Sequence, residues 1–280
     1  MAVVQGDTDE QRDGSQSTNV LIRPIEKVGQ NVIGTFEGLG LFFVFLARVI
    51  VSIFRRPVRW RLFIEQVERI GVRSIPIIAL SSAAIGMIFA LQITMLMAEF
   101  QAEAMVGAAV GLTLARELAP VITTLMLIAK NGSAMTAEIG TMKVTEQIDA
   151  MATMSVDPVH YLVVPRTVAS IVVFPLLTAM ANVVGIIGSY IVAVLMMNVD
   201  PGAFFDQLYW FVNPTDVYSG LIKAAVMGFM MVVICSFYGF YSERGAKGVG
   251  EAATRAVVTA SVGILVADYI MADLMLKLMY

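Results

Sequence analysis

The chain has 280 residues, 58% hydrophobic and only 15% charged, with a mean hydropathy of +0.79. Soluble domains carry about one-quarter charged residues, so the composition excludes that class and indicates a polytopic membrane protein of one domain. One cysteine, Cys235, and one histidine, His160, exclude an intrachain disulfide and a histidine-cluster metal site.

Residues 1–20 are polar and acidic with no apolar core, so they read as a short disordered tail rather than a signal peptide. Residues 21–74 read as interfacial and elbow helices. The apolar part of 21–56 contains Glu37 and Arg48, which favours a helix lying in the membrane plane over a span. The elbow carries Arg55, Arg56, Arg59, Arg61, Arg69 and Arg73 beside Trp60, a pattern suited to anionic head groups at the bilayer boundary.

The membrane-spanning body is expected over 75–280. Spans are expected at Ile75–Met97, about Met105–Ile128, within His160–Met197, about Val217–Tyr238 and about Ala256–Leu276. The third apolar run has 38 residues, roughly 57 Å as a helix, more than one simple crossing needs. A cytoplasmic extension through Arg166 and a kink at Pro175 can absorb the excess. Small residues offer close-packing faces: Gly107 and Gly111, and Gly185, Gly188 and Ser189. Residues 198–216 read as an interfacial aromatic turn. The loops at 99–104 and 198–216 hold no Lys or Arg, which places the N-terminus, the central polar stretch and the 242–255 loop in the cytoplasm.

That central stretch, Lys130 to Pro158, holds Lys130, Glu138, Lys143, Glu146, Asp149 and Asp157 between long apolar runs. Its composition suits a helix, with Ser133 or Thr136 as caps. Met135, Ile139 and Met142 share one face; Val144, Ile148 and Met151 share the opposite one. Either the helix breaks near Gly140 or it is gripped on two sides.

The words GSAMTAEIGTMKVTEQIDAM and SVDPVHYLVVPR, with LARELAPVITTLMLIAKNGSA upstream and ATRAVV at Ala253 to Val258, resemble the MlaE/YrbE family. These are permease subunits of MCE-type ABC transporters, which move lipids. The likeness runs from about Ile75 to Leu276 without gaps. It implies an all-α integral membrane protein: about five transmembrane helices, an N-terminal interfacial or elbow helix, and a cytoplasmic coupling helix within 130–158. It further implies a homodimer in the inner membrane, with separate ABC ATPase subunits and an MCE-domain partner, and with lipid as cargo. No nucleic acid is expected among the partners. No Gly-Lys dipeptide occurs, so a P-loop is absent and ATP is expected on another chain.

No catalytic constellation and no metal or cofactor site is expected. The informative residues are charges within spans: Arg116, Glu117, Lys223 and Asp268. Such residues usually pair with one another or face a cavity. Arg116, Glu117 and Lys223 are the substrate-path candidates. If Glu117 pairs with one cation, a positive charge is left for an anionic head group, unless Asp268 cancels it. Pro120 frees the carbonyl of Arg116. Glu138, Lys143, Glu146 and Asp149 are the candidates for ATPase coupling. The rival readings are an ion- or proton-coupled secondary transporter using Arg116, Glu117 and Asp268, and a non-transporting membrane scaffold.

Overall fold

The computed structural model describes residues 36–55 and 60–279. The expected tail at 1–20, the stretch 21–35, and the basic positions Arg56 and Arg59 lie outside the described residues. Every regular element among the described residues is helical, so the expected all-α membrane fold is what the structure has. Six helical stretches are long and apolar enough to cross a membrane: Phe36–Ile53, Trp60–Glu99, Glu103–Val144, Val159–Met196, Pro214–Phe240 and Ala246–Lys277. The sequence reading reaches five. By length and composition α1 (Phe36–Ile53), expected from Glu37 and Arg48 to lie in the membrane plane, is the sixth candidate among the described residues. The chain divides into two compact units, Met1–Arg48 and Val49–Tyr280, and the site lies wholly in the second.

Helix α2 (Trp60–Ile70) turns through Val72–Ser74 into α3 (Ile75–Glu99). This elbow is pinned from inside. The Lys130 ammonium donates to the Arg73 carbonyl and the Ser74 hydroxyl, and the Asn131 amide donates to the Ile70 carbonyl and Ser74 Oγ. Next comes one helix of 42 residues, Glu103–Val144. It consists of α4 (Val106–Thr113), α5 (Ala119–Leu127) and α6 (Ser133–Val144), joined by π turns at Leu114–Leu118 and Ile128–Gly132. After the short α7 (Gln147–Thr153), the 38-residue apolar run forms a single helix, Val159–Met196. Its middle is α8 (Val164–Tyr190), with π turns at both ends, and it continues through Pro175. Helices α9 (Pro201–Phe211), α10 (Pro214–Phe240) and α11 (Ala246–Met279) complete the chain.

Three local expectations are corrected. The break in the polar stretch falls at Glu146, in the left-handed region at φ 59°, not at Gly140. Gly140 stays helical and packs closely on Ser242 and Val249. Ser133 and Thr136 do not cap a new helix, because α6 continues the preceding span. Their hydroxyls bond back to Ala129 and Gly132, and Thr136 also reaches the Cys235 carbonyl at 2.9 Å. Residues 198–216 contain a helix, α9, whose start obeys ordinary capping. The Asp200 carboxylate accepts from the Ala203 amide at 2.7 Å, and Pro201 occupies the first turn.

Helix α8 sits among α2, α3, α5 and α10, and α10 in turn packs on α6 and α11. The packing depends on residues without side chains. A Cβ on Gly86 would run into the Gly185 backbone, and one on Gly188 into Ala83, so α3 and α8 approach at backbone distance. Gly107 likewise faces the Phe204 carbonyl of α9, whereas Gly111 faces only the Leu208 and Val212 side chains. Both small pairs therefore serve contacts within one chain. Phe204 is buried in a cluster with Val106, Val110, Leu114 and Val192 and holds α9 down.

The two glycines of α4 are predicted to differ. Gly107→Ala must move backbone and is expected to lose about 1–3 kcal/mol, as overpacked cores do. Gly111→Ala displaces only flexible side chains and is expected to lose less, and Gly250→Ala, with nothing nearby, should lose nothing. Thermal unfolding followed by size-exclusion chromatography ranks the three; equal loss at Gly107 and Gly250 would contradict the packing.

Candidate functional site

The site begins with a defect in a helix. Pro120 has no N–H to offer the Arg116 carbonyl four residues back. The π turn Leu114–Leu118 shifts the register at the same place, and the Ala119 amide bonds to Leu114. Helix α10 packs against the opened turn through Gly220, where any Cβ would strike the Ala115 carbonyl. Within one turn further along α10, Lys223 takes up what Pro120 released: its Nζ donates to the Arg116 carbonyl at 3.2 Å.

Lys223 also donates to Glu117 Oε2 at 2.6 Å and lies 3.3 Å from Asp268 Oδ1 of α11. Its side chain is only 2% exposed. Beside it, Arg116 Nε and Nη2 both reach Asp216 Oδ1 at 2.7 Å. Asp216 is fully buried, and its other oxygen accepts the Asn213 amide at 2.8 Å. The cluster thus contains two cations and three carboxylates, tying α5 with its π turn to α10 and α11. Arg116, Glu117 and Lys223 line a cavity of about 290 Å³ together with Thr113, Ser219 and the apolar end of α11. Arg116 and Glu117 keep 31% and 43% of their side-chain surface exposed. The cavity therefore presents a guanidinium and a carboxylate side by side.

The structure brings the three substrate-path candidates together and adds Asp268 and Asp216. Asp268, whose position the sequence left open, stands 3.3 Å from Lys223, and Asp216 gives Arg116 a counterion of its own. Asp216 was missed because 198–216 reads as a polar turn. Its signal was present in Asn213-Pro214-Thr215-Asp216, a capping box with Pro in the first turn. A residue that starts α10 is at the same time the counterion of Arg116.

The coupling candidates do not act as one face. The Glu138 carboxylate is held by Arg69 of α2 at 2.8 Å and by Arg166 of α8 at 3.1 Å, the latter only 5% exposed. Glu138 is therefore a clamp among three helices, and the break at Glu146 puts the two acids on different helices. Lys143 pairs with Asp149 at 3.0 Å across that break, while Glu146 is exposed. Among the described residues no three His, Cys, Asp or Glu side chains gather as a metal site.

The family model described as Permease MlaE matches residues 63–274. The chain belongs to the MlaE permease family. A Rickettsia bellii protein named probable ABC transporter permease is 38% identical over 92% of this chain and all of its own length. The intermembrane phospholipid transport system permease MlaE of Haemophilus influenzae is 34% identical over 91% of this chain and 98% of its own. The chloroplast protein trigalactosyldiacylglycerol 1 of Arabidopsis thaliana is 34% identical over 82% of this chain and 66% of its own. The matched region of this MlaE-family chain includes the whole charge cluster and the Glu138 clamp.

Breaking one partner of a buried ion pair strands the other and costs about 3–5 kcal/mol. Arg116→Ala is therefore predicted to lower the yield and melting temperature of the protein, and Asp216→Asn in the same chain to recover much of the loss. Lys223→Met should behave likewise, with partial recovery by Asp268→Asn. Thermal melts of the four variants check this; an Arg116→Ala protein as stable as wild type would remove Asp216 as its obligate partner.

Proposed function

We propose that this chain is the membrane-spanning permease of an ABC-type lipid transporter, with a phospholipid or related lipid as cargo. The observation that carries the reading is the charged cavity at Arg116, Glu117 and Lys223, placed between spans of a chain in the MlaE permease family. Head groups with phosphate suit Arg and Lys donors, and the cavity's size fits a head group rather than a whole lipid. The names of the Haemophilus and Arabidopsis relatives both refer to lipids. The chain works as a homodimer in an inner membrane. Separate ATPase subunits bind the nucleotide, and an MCE-domain protein receives or delivers the lipid.

Two regions have assigned roles in this reading. The turn between α6 and α7, with Lys143, Glu146 and Asp149, is the docking segment for the ATPase. Glu138 sets its position through the clamp on α2 and α8. Helix α1 lies in the membrane plane and the N-terminus is cytoplasmic, in keeping with the basic residues that follow at the elbow. An N-terminal reporter active on the cytoplasmic side is the expected result; activity on the far side would mean that α1 crosses.

The function is tested by reconstituting the chain with its ATPase and following ATP-dependent movement of labelled phospholipid between membranes or to the MCE-domain protein. Glu146→Lys should leave insertion intact and lower coupled transport about tenfold, because like charges brought together across an interface cost on the order of a few kcal/mol. ATP-independent movement, or none, would overturn the permease reading. Full activity in Glu146→Lys would remove that residue from the docking segment.

A further inference from the structure

The Glu138 clamp contains a donor that the protein itself does not receive. Glu138 Oε2 is reached by Arg69 Nη1 at 2.8 Å and by Arg166 Nη2 at 3.1 Å, and Oε1 accepts from Arg69 Nη1 at 3.0 Å. Two guanidiniums thus occupy both oxygens of one carboxylate. Arg166 is buried, and its other terminal nitrogen, Nη1, has no hydrogen-bond partner among the described residues. A buried donor on a charged group is costly to leave unmade.

Arg166 lines a small cavity between α2, α6 and α8, together with Gln66, Arg69, Asn131, Ala134 and Glu138. The cavity measures about 20 Å³. That is room for one water or one halide ion, and too little for a phosphate group or a lipid head.

Charge separates those two occupants. The clamp has two cations and one carboxylate. Lys130, beside Asn131 in the chain, spends its donors on a carbonyl and a hydroxyl rather than a carboxylate. Arg73 brings no further excess, because Glu68 holds it at 3.1 Å. The wall around Arg166 is therefore positive on balance. A water would accept the Nη1 hydrogen and leave that charge as it is. A small anion accepts the hydrogen and supplies the missing counter-charge. The Gln66 amide on the same wall offers a second N–H donor.

We propose that this cavity binds a chloride ion, which accepts from Arg166 Nη1 and the Gln66 amide and adds a tie among α2, α6 and α8. The site is separate from the charged cavity at Arg116, and binding requires neither lipid nor ATPase.

The test uses the purified full-length protein in nanodiscs, with sodium chloride exchanged for sodium gluconate at constant ionic strength. With chloride about tenfold above its Kd, the wild type should melt about 3 °C higher than in gluconate. The gain should saturate, and bromide should act like chloride. Ala134 is exposed at the cavity; Ala134→Leu fills the space without changing charge and should abolish the difference between chloride and gluconate. Should Ala134→Leu fail to fold, Gln66→Leu removes one donor and leaves the clamp intact. It should weaken the apparent chloride affinity about fivefold, the worth of one ordinary hydrogen bond. Equal melting of the wild type in chloride and gluconate overturns the proposal and assigns the cavity to a water. A chloride effect that never saturates, or that is unchanged in both variants, overturns it as well, since a general action of salt would then account for the shift.

Discussion

A lysine ammonium buried between helices needs protein acceptors and a counter-charge in place of water, and Lys223 has both. Glu117 Oε2, the Arg116 carbonyl and Asp268 Oδ1 stand at 2.6, 3.2 and 3.3 Å. Two of these acceptors exist for separate local reasons. The carbonyl is available because Pro120 cannot bond it, and Glu117 is within reach because Gly220 lets α10 come down onto the π turn. Removing either condition leaves a buried cation short of a partner, a costly state inside a membrane. The meeting of α5, α10 and α11 is thus fixed by electrostatics as well as by apolar packing, which in lipid has little hydrophobic drive of its own.

The same cluster shows what a sequence can disclose. Charges inside apolar runs stand out, so Arg116, Glu117, Lys223 and Asp268 were legible one by one. Their pairing was not, because it depends on the rotation of three helices about their axes. A π turn alters that rotation by one residue, and nothing in LAREL announces it except the proline that follows. Asp216 was hidden differently. Beside Trp210 and Asn213 it reads as part of a wet turn, and only the capping box places it at a helix start, facing inward. With Asp216 counted, Arg116 has a buried counterion of its own, and Lys223 is left to Glu117 and Asp268.

The central polar stretch was legible in composition and misread in shape. A run of Ala, Met, Glu and Lys says helix, but not where a helix already under way will end. The span of 42 residues does not stop at the membrane boundary; it carries its polar part, α6, as a rigid extension. The two apolar faces that pointed to a break or a double grip come from both causes. Ile139 and Met135 of α6 are buried against α10, and Ile148 is buried beyond the break on α7. Glu138 illustrates how an exposed acid in a pattern can be a structural one in space. Its partners, Arg69 and Arg166, are 69 residues before it and 28 after it, separations that no local pattern reveals.

One consequence follows from the continuity of that helix. The cavity residues Arg116 and Glu117 and the docking candidate Lys143 lie on the same rod, about 40 Å apart at 1.5 Å per residue. A helix is stiff along its axis, so a push at the α6–α7 turn is carried toward the cavity unless the rod yields. It has two places to yield, the π turns at Leu114–Leu118 and Ile128–Gly132, where backbone bonding is already irregular. The lower one is braced by Lys130 and Asn131 on the elbow. The upper one is braced by Lys223. Motion from the docking end therefore concentrates at the Lys223 contacts, where shifting α5 by a fraction of an ångström lengthens three polar interactions together. In the proposed transport cycle this is how nucleotide-driven movement below reaches the charges that hold a head group.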